Sequence, residues 1–182
     1  MIYQSKDAEK NAAFHVAELM VAAAKTAPKG CGVDNIVAIM IDGEEKDTLA
    51  ETMRKIAADT GQDFIHRDAN NVDGSTVVVA VGVRNIPLGL EHCGFCGFED
   101  CAEMILAEAN CAFNITDLGI AVGSAAAVAA DNRIDNRIMY SIGKAILALK
   151  YFPEDVRVVY GIPLSTSSKS IFFDRDPENV MV

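Results

Sequence analysis

The sequence predicts an α+β fold, one domain over residues 1–182 in which helices flank a sheet. Stretches with apolar side chains at helical spacing alternate irregularly with short β-branched runs too brief for a helix. No internal repeat or Pro/Ser-rich linker divides the chain, and its 51% hydrophobic content is ample for one core.

From Asp7 to Lys25, Phe14, Ala17, Val21 and Ala24 form a stripe that Val16, Leu19, Met20 and Ala23 widen almost all round, so the spacing predicts a buried helix. Ala27-Pro28-Lys29-Gly30-Cys31-Gly32 ends it in a loop with free backbone amides. Asn35 to Ile41 reads as a buried strand closed by a turn at Asp42-Gly43. Thr48 and Glu51 form a candidate capping box for a second helix carrying Leu49, Met53, Ile56 and Ala57, which Gly61 stops. Thr76 to Gly82 is uniformly apolar and β-branched, which predicts a strand in the middle of the sheet. Cys101 is expected to open a helix running to about Asn110. Leu118, Val122, Ala125, Ala126 and Ala129 mark the next helix, with Gly119, Gly123 and Ser124 as a small-residue surface suited to a dimer seam or to the core. Ile138, Ile142, Ala145, Ile146 and Leu149 mark one more, followed by a strand from Val156 to Gly161. The polar run Ser165 to Ser170 is read as the start of an extended carboxyl-terminal arm.

Charge narrows the function. The formal charge of −10 argues against nucleic-acid phosphates and anionic membrane surfaces and favours a protein or small-molecule partner. Met1 to Lys10 lacks a secretory pattern and no apolar run is expected to span a bilayer, so the chain is read as cytoplasmic. Five cysteines without an export signal point to thiols, a metal or a cluster rather than to a disulfide framework.

The chemistry concentrates in residues 91–113, read as a cysteine motif inserted within the single domain. Cys93, Cys96 and Cys101 have the spacing C-x2-C-x4-C, and Cys111 follows after nine residues, supplying the four thiolates of an all-cysteine iron–sulfur cluster. Gly94 and Gly97 let the loop bend around such a cluster, and the amino-terminal dipole of the helix opened by Cys101 favours an anionic site. Phe95, Phe98 and Phe113 are candidates to exclude water, while Glu91, Glu99 and Asp100 predict a low potential. Zinc also takes cysteine tetrads, usually as two separated pairs. Disulfides or free thiols remain alternatives, as does Cys31 in place of Cys111. His15, His66 and His92 have no metal-pair spacing, although His92 adjoins Cys93. No nucleophile triad, dinucleotide fingerprint or P-loop is present, and the acids of Asp42 to Asp47 suit a solvated turn better than a calcium loop.

The run CGFCGFEDC followed by a helix and Cys111 resembles the small four-cysteine 4Fe–4S domain of electron-transport complex subunits and of corrinoid iron–sulfur proteins from anaerobes, where the gap to the fourth cysteine tends to be longer. Over nearly its whole length the chain is similar to the bacterial and archaeal family described as containing a ferredoxin domain. Its other segments resemble a reduced nitroreductase: the first helix leading to Ala27-Pro28-Lys29-Gly30, the strands Val37 to Ile41 and Thr76 to Gly82, the helix opened by Thr116 to Ala121, and Pro153 to Pro163. That resemblance implies an intertwined homodimer holding FMN at its interface. Where nitroreductases bring arginines to the flavin phosphate, this chain offers Lys25 and Lys29 with the amides of Gly30 and Gly32. The resulting expectation is a one-electron iron–sulfur protein serving a redox partner protein or a small acceptor. Its alternatives are an FMN oxidoreductase fed by the cluster and a zinc- or cluster-stabilised module without turnover.

Overall fold

The structure, a computed structural model, describes residues 1–173. At its centre lies β2 (Val77–Arg84), whose first seven residues are all buried. It pairs antiparallel with β1 (Ile36–Ile41) on one side and with β4 (Val156–Ser165) on the other, and the two-residue β3 (Asp135–Asn136) completes the order β1-β2-β4-β3. Successive strand residues face opposite sides. Val77, Val79, Val81 and Val83 therefore join the core built with α1 (Ser5–Thr26) and α5 (Ala112–Asp131). Val78 and Ala80 join the opposite core, with α2 (Gly43–Thr60), α3 (Asp63–Asp73) and α6 (Tyr140–Ala148). A strand covered by helices on both faces has no solvent side, which explains its continuous apolar sequence.

Several expectations change. β1 is an edge strand, with Val37 to Met40 only half-buried, because nothing pairs beyond it among the described residues. The proposed capping box is absent: α2 starts at Gly43 and Thr48 lies inside the helix. α3 was not anticipated, although Ile65, Ala69 and Val72 recur at helical spacing and are buried. The helix opened by Cys101, α4 (Cys101–Leu106), stops before Asn110, at Ala107 and the left-handed Glu108. Its six residues carry less macrodipole than the predicted length would. Ile138 is exposed and precedes α6. Ser165, expected to begin the arm, is instead the buried last residue of β4; residues 166–170 follow it without regular structure, and any arm beyond residue 173 lies outside the described residues.

α5 also overturns an expectation, since it is long and apolar enough by length and composition to cross a membrane. Here Leu118, Ala121, Val122, Ala125 and Ala129 are buried in the core shared with α1, and the Ser124 hydroxyl donates to the Ala23 carbonyl at 3.2 Å. One face of α5 packs as a core helix does, while Ile115 and Ile120 are exposed. The apolar stripe thus belongs to the core, while Gly119 and Gly123 of the small-residue surface face open space. On the other layer α6 approaches β4 so closely that a Cβ on Gly143 would overlap the Val159 carbonyl, and one on Gly161 would overlap the Ile142 side chain.

Candidate metal centre

Between β2 and α5 the chain leaves the sheet and forms the cysteine segment. His92, Gly94 and Gly97 take left-handed φ values of 57°, 60° and 85°, and the Gly97 amide donates to the Gly94 carbonyl at 3.0 Å. This turn carries Cys93 and Cys96. Asp100 caps α4 by accepting from the Glu103 amide at 2.8 Å, while the Glu103 carboxylate reaches back to the Glu99 amide at 3.1 Å. The reciprocal cap fixes Cys101 at the first position of α4. Cys111 is buried at the N-cap of α5.

Asparagines tie this excursion to the sheet. The Asn85 amide group donates to the Ala109 carbonyl at 2.9 Å, and its oxygen accepts from the Cys111 amide at 3.3 Å. Asn114, almost fully buried, donates to the carbonyls of Arg84 and Ile86 at 3.1 and 2.8 Å and accepts from Asn35 at 3.2 Å. Sequence reading missed Asn85 and Asn114; the only signal was their position, just past a buried strand and just after a cysteine.

Cys93, Cys96, Cys101 and Cys111 all line one concavity, closed by the apolar side chains of Leu90, Phe98, Met104 and Phe113. Four soft thiols in an apolar pocket are a donor set that suits an all-cysteine iron–sulfur cluster. Among the described residues no three His, Cys, Asp or Glu side chains converge closely enough to share a single ion. Cys31 is exposed, at φ 54° in the Gly30–Gly32 turn, and is not part of the concavity. Phe98 and Phe113 line the pocket as expected, but Phe95 is 76% exposed and stacks on the outside of Phe113, with ring centroids 5.3 Å apart.

The residues considered for a flavin phosphate are otherwise engaged. Lys29 Nζ caps the end of α1, donating to the carbonyls of Lys25 and Ala27 at 2.6 and 2.8 Å. Lys25 pairs with Asp34 and donates to the Ile36 carbonyl at 3.1 Å. Burial pushes the Asp34 carboxyl up, but the Lys25 hydrogen bond, the Ile36 amide and the charges of Lys25 and Lys29 outweigh it and hold the carboxyl below its ordinary value. The Gly30 amide donates to both oxygens of the buried Asp117 carboxylate, at 3.0 and 3.1 Å. The Gly32 amide donates to the Lys29 carbonyl at 3.0 Å. A site holding Asp34 and Asp117 does not fit a phosphate dianion.

Residues 107–175 match the family described as "Uncharacterized protein containing a ferredoxin domain (DUF2148)"; the matched span includes Cys111 and begins after Cys101. A protein of Archaeoglobus fulgidus is 40% identical over 186 residues, covering 98% of this chain and 100% of its own length. The chain belongs to this ferredoxin-domain family. The ferredoxin-domain protein also shares its fold with nitroreductases. A nitroreductase with bound FMN from Desulfitobacterium hafniense superposes with a TM-score of 0.58 at 16% identity, over 92% of this chain and 86% of that one. A nitroreductase family protein from Clostridium novyi gives 0.54 at 18% identity, over 83% and 73%. The fold is thus a nitroreductase-like mixture of helices and antiparallel sheet, as the segment order predicted.

Proposed function

We propose that this ferredoxin-domain protein carries single electrons on a 4Fe–4S cluster held by Cys93, Cys96, Cys101 and Cys111. The observation that supports the reading is the shared concavity: thiols up to 18 positions apart in sequence line one apolar pocket, and the fifth thiol lies elsewhere. A tetrahedral zinc would draw its sulfurs to within about 3.8 Å of one another, given a zinc–sulfur distance of about 2.3 Å. A cube differs in bonding each thiolate to its own iron. When bound, such a cluster supplies a one-electron couple. Leu90, Phe98, Met104 and Phe113 keep water from it, and the capped start of α4 and the Asn85 bridge hold two of its ligands in place. FMN has the fold likeness in its favour but finds no free phosphate-binding group at Lys25, Lys29 or Gly30, so no step runs through flavin.

The test is the absorption spectrum with iron and sulfide content of protein purified without oxygen, before and after dithionite. We expect a broad blue-region band that bleaches, with about four irons and four sulfides per chain. Cys96→Ser should remove or severely weaken it, while Cys31→Ser should leave it intact. A colourless zinc protein that resists reconstitution, or iron unchanged in Cys96→Ser, defeats the assignment; iron lost in Cys31→Ser moves the fourth ligand to Cys31.

A further inference from the structure

We propose that the segment closing the four-thiol concavity is the docking face for a one-electron redox protein whose own contact face is basic, an inference that rests on the cluster reading above. Between Arg84 and Arg133 the sequence contains no lysine or arginine. The same stretch presents Glu91, Glu99, Asp100, Glu103 and Glu108, all exposed around the cysteines. Of the flanking cations, Arg84 is paired with Asp155 at 2.5 Å and Arg157 donates to the Glu108 carbonyl at 2.8 Å, so the five carboxylates keep no basic partner of their own from within the segment.

Charge alone would describe a solvated surface, but this one also carries apolar side chains. Phe95 is 76%, Ile105 56% and Leu106 84% exposed within a few residues of the ligands. Scattered exposed apolar residues are ordinary, whereas apolar groups gathered within a charged rim mark a contact surface. Phe95 stacks at an interplanar angle of 6° on Phe113, which lines the concavity, so a partner seated on Phe95 lies one ring from the pocket wall. The exposed carboxylates select the sign of the partner and speed encounter, and the exposed apolar side chains hold the complex once formed. An anionic membrane surface is repelled by the same carboxylates, and a small acceptor has no use for them.

The experiment uses the full chain, reconstituted, reduced with dithionite freed of excess, and mixed with ferric cytochrome c, a basic haem protein. One electron leaves the reduced cluster and turns one ferric haem ferrous, with no bond or proton moved. Glu91→Lys with Glu108→Lys reverses two of these charges, whereas Glu51→Lys with Asp59→Lys makes the same net change on α2, at exposed positions of the opposite layer. We expect the first pair to slow the reaction about ten-fold and flatten its salt dependence, and the second to change it by less than about two-fold. Oxidation by a small uncharged quinone should be the same in all three proteins. Equal slowing by both pairs reduces the effect to net charge and overturns the docking face, as does no slowing by either, or slowing that the quinone shares. A chain that takes up no iron overturns the cluster reading and this face with it; a loaded chain with charge-insensitive kinetics overturns the face alone.

Discussion

Asn85 bridges a carbonyl and an amide that flank Asn110, and so holds the backbone on which Cys111 sits. Truncation leaves the Ala109 carbonyl and the Cys111 amide without that partner, a loss of about 1–3 kcal/mol for partly buried groups. The consequence belongs to the cysteine segment rather than to the core, because both partners lie at its end, beside Cys111. Asn85→Ala is therefore expected to release iron to a chelator several-fold faster than the parent, while the thermal midpoint of the metal-free protein moves little. Equal losses in both measurements would make Asn85 a general structural residue. The contrast with the cysteines is instructive. Cysteine spacing is a chemical signature that can be read in a string, so Cys93, Cys96, Cys101 and Cys111 stood out. Asn85 and Asn114 act through contacts with residues 24 to 79 positions away, which only the fold brings together. The lysines failed in the opposite sense: Lys29 reads as a free cation, yet it is folded back on the carbonyls that end α1.

Elements were legible where one residue pattern decided them and obscure where the neighbourhood did. The apolar run of β2 is continuous because α1 and α5 cover one face and α2, α3 and α6 the other, and that run placed it mid-sheet. β1 has a similar composition, but its place at the edge leaves it half-buried, which composition alone does not distinguish. The start of α2 was misplaced because Thr48 and Glu51 imitate a cap five residues inside the helix. Glycine was hardest to read at α6, where Gly143 is a matter of space rather than of turning. Its Cβ would occupy the Val159 carbonyl, part of the backbone of β4 and unable to swing aside like a side-chain tip. Gly143→Ala should accordingly lower stability by on the order of 3 kcal/mol, seen as a shifted urea midpoint, despite alanine's better helix propensity. Gly119→Ala is the control, since its Cβ meets nothing within 4 Å, and it should be neutral or slightly stabilising. A harmless Gly143→Ala would mean that α6 and β4 are further apart than described.

Across the whole molecule, the helix-covered sheet and the cysteine segment are separable in energetic terms. Neither hydrophobic core includes any residue from 85 to 111; both are assembled from the sheet and the helices α1, α2, α3, α5 and α6. The segment is attached by the Asn85 and Asn114 hydrogen bonds and by the ends of β2 and α5, and it exposes much of its own apolar surface. A group that binds only the folded segment stabilises that segment by mass action and leaves elements outside it nearly untouched. Hydrogen exchange with and without bound metal distinguishes a cluster carried by a finished scaffold from one that makes the fold. On removal of iron we expect amides of residues 91–108 to lose protection, while those of β2, α1 and α5 keep theirs. Loss of protection throughout the sheet would instead make the metal a requirement for folding, the behaviour of a stabilising module with no redox role. The exchange pattern also bears on why a nitroreductase-like scaffold can host this segment at all. A core that closes without residues 85–111 leaves the connection between β2 and α5 free to differ in length and sequence, and a cysteine-rich loop there leaves the packing on either face of the sheet undisturbed.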